Sequence, residues 1–248
     1  MRFYCPLPLS VPMTLELPDT ARQHAQVLRA RLGELLTLFN GDGLNYSARL
    51  VDMQRHTARV QIENSAVAAT ESALSLHLAV VLSKGDRLDW SLQKATELGV
   101  QRISLLFSER CEVKLREQER LERKIQHWHH IVISACEQCG RTRIPTVDAP
   151  VAFPTFLQQQ HATSTQKLLL SPTARLGLRS LTAPTSAGFT LLVGPEGGFS
   201  AQEEQAALQH DYRAIGLGPR ILRTETAPLV CLSLLQAEFG DLCDGDPL

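Results

Sequence analysis

Apolar positions follow two regimes along the chain. Up to residue 72 they form short runs or alternate with polar residues, as in Leu35–Phe39, residues 44–51 and residues 57–62, the period-two pattern of strands that bury one face. Asn40-Gly41-Asp42-Gly43 lies between the first two and supplies the left-handed residues of a hairpin turn. A helix is predicted ahead of them, over about 20–31. Residues 63–72 are small, polar and without periodicity, and read as a linker that separates a β-rich module at 1–72 from a second domain at 73–248.

Beyond the linker, strand-like and helix-like segments alternate. A strand at 76–82 precedes a helix at 88–98 that stops at Gly99; a strand at Arg102–Phe107 precedes a long helix at 117–138, with Leu121, Ile125, Trp128, Ile131, Val132 and Ala135 at spacings that share one face. Further strands are predicted at 167–170, Phe189–Val193 and 214–217. This alternation predicts a mainly parallel α/β domain of two or three layers.

Composition narrows the class. The chain has 248 residues, 44% of them hydrophobic, and a net charge of −1, which excludes a disordered, collagen-like or polybasic protein. No apolar run approaches the roughly 18 residues that span a bilayer, and Pro6, Pro8 and Pro12 break any signal-peptide helix; a cytoplasmic protein without membrane attachment is expected. The cysteines at 5, 111, 136, 139, 231 and 243 are too scattered for a disulfide framework. Charge is uneven: residues 1–73 carry 7 basic and 7 acidic side chains, 74–145 carry 12 and 9, and 146–248 carry 6 and 10. Arginine provides 20 of the 25 cations, and its planar fork suits phosphate and base edges.

Two segments combine a strand, a Gly-Pro turn and a helix start. In the first, Val193-Gly194-Pro195-Glu196-Gly197-Gly198-Phe199-Ser200, three glycines allow backbone to approach a ligand, and Ser200 with Glu203 forms a capping box. In the second, running from Gly216-Leu217-Gly218-Pro219 to Thr226-Ala227-Pro228, Thr224 or Thr226 is expected to cap the last helix. Two such turns at the carboxyl ends of strands predict one ligand cleft. Neither matches the phosphate-binding patterns G-x-x-x-x-G-K-[ST] or G-x-G-x-x-G. Glu196, Glu203 and Glu204 would repel a polyphosphate, whereas an adenosine with a cationic tail, the description of S-adenosylmethionine, is better matched. Arg220 and Arg223 are candidates to hold a phosphate and a target base, with Glu225 to orient them or act as a base, although each alone fits a salt bridge equally well.

Cys136-x-x-Cys139 closes the long helix instead of opening one, and no second cysteine or histidine pair stands at zinc spacing. A metal or redox role is disfavoured and no metal site is expected. Arg141 and Arg143, just beyond, also fit plain capping of that helix.

Five strings in order resemble the bacterial ribosomal RNA small subunit methyltransferase E family: Ser83-Lys84-Gly85-Asp86 through Gln93-Lys94-Ala95-Thr96-Glu97-Leu98-Gly99; Phe107-Ser108-Glu109-Arg110-Cys111; Ala135-Cys136-Glu137-Gln138-Cys139-Gly140-Arg141; Leu192 to Gly198; and Leu217 to Ala227. Arg2-Phe3-Tyr4 and His24…Val27-Leu28-Arg29 are similar to the family's PUA-like RNA-binding domain. The resemblance implies a small N-terminal PUA-like β-barrel and a C-terminal SPOUT α/β domain with a deep trefoil knot, acting as a homodimer. It implies methyl transfer from S-adenosylmethionine to N3 of a uridine, position 1498, in 16S rRNA of the small ribosomal subunit. Two alternatives stay open: a knotted methyltransferase for another RNA nucleotide, and a catalytically idle RNA-binding assembly factor.

Matched residue by residue, Arg220, Arg223 and Glu225 are the expected catalytic residues. Leu170, Ser171, Pro172, Gly194, Pro195, Glu196, Gly197, Gly198, Leu217, Gly218, Ile221, Leu222, Thr224, Thr226 and Ala227 are expected to bind the cofactor. Arg2, Arg29, Lys84, Lys94, Arg110, Arg141 and Arg143 are the expected RNA contacts. The 158–166 segment and the acidic tail, 241–248, depart from the family pattern without touching these positions.

Overall fold

The computed structural model describes residues 1–113, 118–159, 165–183 and 188–243. Glu117, expected to open the long helix, and parts of the 158–166 segment and of the tail fall outside them. The chain forms two compact units: Met1–Glu71 with Ile133–Ile144, and Ser72–Val132 with Pro145–Leu248. The first therefore takes in the end of the long helix and the residues after it.

In the first unit, β1 (Arg2–Tyr4), β2 (Met13–Glu16), β3 (Leu35–Phe39), β4 (Leu44–Met53) and β5 (Ala58–Val67) form a sheet in the order β1-β3-β4-β5-β2. β1 runs parallel to β3 and the other pairs are antiparallel. Alternation along β4 and β5 buries Tyr46, Ala48, Leu50, Ala58, Val60 and Ile62 against α1 residues Ala21 and Ala25; α1 spans Asp19–Val27. The β3–β4 turn is the expected one: Gly41 and Gly43 have φ of +100° and +99°, and Asp42 accepts from the Leu44 N–H at 2.8 Å and the Tyr46 hydroxyl at 2.7 Å. The linker expectation fails over its first half. Residues 63–67 complete β5, 64–67 pairing with 44–47 and Glu63 falling at a register shift, because cross-strand hydrogen bonds do not need apolar side chains.

The second unit is built on a six-stranded sheet, parallel throughout, in the order β11-β9-β10-β6-β7-β8. Its strands are β6 (Leu76–Val81), β7 (Arg102–Phe107), β8 (Thr146–Ala152), β9 (Gln166–Leu170), β10 (Phe189–Val193) and β11 (Arg213–Ile215). β6 and β10 are buried at every residue, the mark of central strands covered on both faces. The helices are α2 (Arg87–Glu97), α3 (Gln118–Cys139), α4 (Phe153–Gln159), α5 (Ala201–Gln209) and α6 (Thr226–Phe239). The chain builds outward through β6, β7 and β8, then returns so that β9, β10 and β11 continue the sheet on the other side of β6. Such a reversal leaves a crevice at the carboxyl ends of strands.

Candidate cofactor cleft

The loops after β9, β10 and β11 meet around a cavity of about 450 Å³, within the usual range for small-molecule sites. Leu170, Ser171 and Pro172 follow β9; Gly194, Pro195, Glu196 and Gly198 follow β10; Leu217, Gly218, Ile221, Leu222, Thr224 and Ala227 follow β11, together with Arg220, Arg223 and Glu225. The structure thus gathers almost all of the expected cofactor and catalytic residues on one cleft. Gly197 borders the neighbouring depression instead, and Thr226, outside the lining, is the first residue of α6.

Local chemistry explains why the chain turns here. At Gly194 a Cβ would lie 3.0 Å from the Phe199 ring, and at Gly216 one would lie 2.8 Å from the Ala174 carbonyl oxygen, so a side chain would push both loops apart. The Ser200 box forms as expected: the Glu203 N–H donates to Ser200 Oγ at 3.3 Å and the Ser200 N–H to Glu203 Oε2 at 2.9 Å. Glu203 Oε1 also accepts from the Glu109 N–H at 2.8 Å; this carboxylate is tied into its loop and stands outside the cleft. The expected cap of α6 does not form. Glu225 occupies the N-cap in helical conformation with no side-chain bond to the helix, so neither Thr224 nor Thr226 caps it.

The charged residues of the cleft are unevenly held. Arg87 Nη1 meets Glu196 Oε1 at 2.7 Å. Arg223 stands 3.9 Å from Glu225, with side chains 80% and 17% exposed, a loose pair that leaves the guanidinium open to another anion. Arg220 is exposed on the same loop, as is Ile221. Arg87 and Glu204, with the apolar Val193, Phe199 and Ile215, also line the cleft and were not among the expected residues. Arg87 reaches the cleft because β6 lies beside β10, so the loop after β6 shares its end of the sheet.

The expected RNA contacts divide. Arg29 and Arg143 are exposed, and Lys84 pairs with Glu112 at 2.6 Å with both side chains exposed. Arg110 donates to the carbonyls of Gly197 and Phe199 at 2.7 and 3.3 Å. Lys94 pairs with Glu97 at 2.8 Å and stands over the Trp90 ring. Arg141 is a correction. Its side chain is 3% exposed and pairs with Glu71 at 2.9 Å, while Glu71 also accepts from the Thr142 and Arg143 N–H groups. Arg2 belongs to the same cluster: it donates to the Arg141 carbonyl at 2.6 Å and to Asn45, and lies over the Phe39 ring. Arg141 is committed to Glu71 inside the first unit, and Arg2 to Asn45 and the Arg141 carbonyl. Cys136 is buried beside them, and burial pushes its thiol up to about 12, so it stays neutral and unreactive at physiological pH.

Comparisons with known proteins agree with the cleft. Residues 70–236 match the RNA methyltransferase domain family and residues 17–63 its RNA methyltransferase PUA domain. The ribosomal RNA small subunit methyltransferase E of Buchnera aphidicola subsp. Schizaphis graminum is 35% identical over 97% of both chains, and that of Bacillus subtilis is 29% identical over 89% of this chain and 88% of its own. Among solved structures, the Neisseria gonorrhoeae ribosomal RNA small subunit methyltransferase E bound to S-adenosyl methionine superposes with a TM-score of 0.91 at 41% identity, covering 97% of this chain and 98% of that one. A methyltransferase from Legionella pneumophila in complex with the same cofactor gives 0.92 at 41%, with equal coverage. By its two matched domains and its whole-length relatives, this chain belongs to the RNA methyltransferase family of the ribosomal RNA small subunit methyltransferases E.

Proposed function

We propose that the protein transfers the methyl group of S-adenosylmethionine to N3 of a uridine in 16S rRNA of the small ribosomal subunit, in the cytoplasm. The second unit is the catalytic SPOUT domain with its chain threaded as a trefoil knot. The first is a PUA-like barrel that holds the RNA, and two copies form the working homodimer.

One observation supports this above the rest: the cleft sets carboxylates beside apolar walls and carries two exposed arginines, Arg220 and Arg223, on one of its loops. Val193, Leu170, Ile215 and Leu217 offer apolar surface to a nucleoside, and Glu196, Glu204 and Glu225 offer negative charge to a cationic tail. Apolar walls with carboxylates among them fit an adenosine that carries a cationic tail. The bound cofactor supplies an electrophilic methyl on a sulfonium. Everything else falls to the chain. Uridine N3–H is a weak acid, so N3 must lose its proton before or during attack. Arg223 or Arg220 stabilises the charge that develops on the uracil oxygens, as an oxyanion hole does for an acyl group. In this reading Glu225 accepts the proton. The target base leaves its stack to reach these groups.

The test is a methylation map of 16S rRNA from a deletion strain, with purified protein added back to its small subunits. The expected result is a missing N3-methyluridine that the protein and S-adenosylmethionine restore. An unchanged map defeats the uridine assignment; absence of cofactor binding by calorimetry defeats the methyl-transfer reading.

A further inference from the structure

Beside the cofactor cleft, at the start of α2, lies a second depression of about 690 Å³ lined mainly by charged residues. Three are cations. Lys84 and Arg87 each hold a carboxylate, Glu112 and Glu196, whereas Arg110 donates to two backbone carbonyls and pairs with no carboxylate among the described residues. Arg87 and Glu196 line both this depression and the cleft. Their ion pair is therefore shared by the two cavities, and either partner can be reached from either one.

The side chains are 47% and 40% exposed, so the pair is of the weak, solvent-screened kind. A cation arriving in the cleft competes with Arg87 for Glu196; an anion arriving in the depression competes with Glu196 for Arg87. Each ligand weakens the bond that opposes the other, which is positive coupling, and linkage makes it reciprocal.

We propose that the depression binds a backbone phosphate of the RNA substrate through Arg110, Lys84 and Arg87, and that the Arg87–Glu196 pair couples this site to the cleft, so that a cationic ligand there releases Arg87 to the phosphate. The proposal rests on the methyl-transfer reading for the identity of the two ligands. It adds that RNA is held best by protein already loaded with its positively charged cofactor.

The probe is a fluorescently labelled single-stranded RNA oligonucleotide titrated with the full chain, read by anisotropy without ligand, with adenosine, and with S-adenosylmethionine. In the wild-type protein S-adenosylmethionine tightens RNA binding about twofold to fivefold, adenosine does not, and RNA tightens cofactor binding by the same factor in calorimetry. Glu196→Gln binds RNA without cofactor as tightly as the loaded wild type does, because Arg87 is already free, and S-adenosylmethionine adds nothing further. Arg87→Met stays at the weak affinity with or without cofactor. Its salt dependence lacks the steepening of about 0.7 in log–log slope that one more single-strand phosphate contact gives the loaded wild type.

Unchanged RNA affinity in Glu196→Gln overturns the proposal, as does equal tightening by adenosine. If wild-type protein binds no S-adenosylmethionine, the methyl-transfer reading falls. The Glu196→Gln arm needs no cofactor and still decides whether the depression takes RNA through Arg87.

Discussion

His77, the second residue of β6, shares a 2.8 Å hydrogen bond with Ser104 Oγ on β7; Ser104 donates to Asp148 on β8 at 2.6 Å, and Arg102 holds the same carboxylate through two bonds at 2.8 and 3.2 Å. At the other end of the sheet, Arg223 stops 3.9 Å short of Glu225 and Arg220 lies in solvent. Polar and charged side chains are thus closed on one another toward the amino ends of the strands and left open at the carboxyl ends. A polar group that has its partners fixes the fold, and one that lacks them is available to a ligand. In a parallel sheet the loops that vary freely follow the carboxyl ends, so the open set gathers there.

The sharpest way to break this comparison is to remove a member of the open set. Arg223→Ala should lower methyl transfer to small subunits by about a hundredfold to a thousandfold, the usual loss of one charge-stabilising donor. Its chemical-denaturation midpoint should not move, because an exposed side chain with a loose pair contributes little. A variant that denatures earlier and turns over normally would place Arg223 with the closed set.

The closed set is tested by acid. Burial, with Arg102 adding to it, pushes His77 down from 6.5 to about 4. Between those values the unfolded chain binds the proton and the folded one does not, so stability is full above about pH 6.5 and falls as pH drops toward 4. The loss reaches about 3 kcal/mol for a shift of this size. Urea titrations across that window should show this loss in the wild type and most of it missing in His77→Gln, whatever that variant's stability at pH 7. Identical pH profiles would mean that His77 titrates normally and the network is open to water.

A smaller effect is expected within the loop that carries the open set. Gly218 has φ of +96° and open space where a Cβ would point, so Gly218→Ala adds backbone strain without a clash. About 1 kcal/mol is expected, read as roughly a fivefold weaker cofactor affinity if the strain falls on the loop that walls the cleft. Gly216→Ala adds a collision with the Ala174 carbonyl and should be the worse of the two.

How far the sequence showed these features depends on which signal each one leaves. The strands at Arg102–Phe107 and Phe189–Val193 were legible because each is a short, mainly apolar run next to glycine, Gly99 before the first and Gly188 and Gly194 around the second, and that length and punctuation favour a strand over a helix. β1, β2 and β8 were not: Arg2–Tyr4 is three residues long, and β8, TVDAPVA, interrupts its apolar positions with Asp148 and Pro150. The cleft loops showed themselves through glycines, whose need for close approach is local. Arg141 did not, because its partner Glu71 is 70 residues away in sequence, and nothing in the Gly140-Arg141-Thr142-Arg143 string distinguishes the buried arginine from the exposed one. Arg87 was missed for the same reason: its place on the cleft depends on β6 lying next to β10, a neighbour relation set by topology.

The finest test separates what a charge does for stability from what it does to a neighbour's proton. Arg102 is half-exposed and its pair with Asp148 is partly solvated, so Arg102→Met should cost less than about 1 kcal/mol at pH 7. Its field still reaches His77, where it opposes the imidazolium, while Asp148 favours it. Removing Arg102 takes away the opposing charge and leaves the favourable carboxylate, so the His77 midpoint should rise, and the acid loss of stability should shrink. Proton-detected titration of the His77 ring in both proteins measures this directly. A midpoint that stays near 4 in Arg102→Met would assign the whole depression to burial and reduce the Arg102–Asp148 pair to a surface contact.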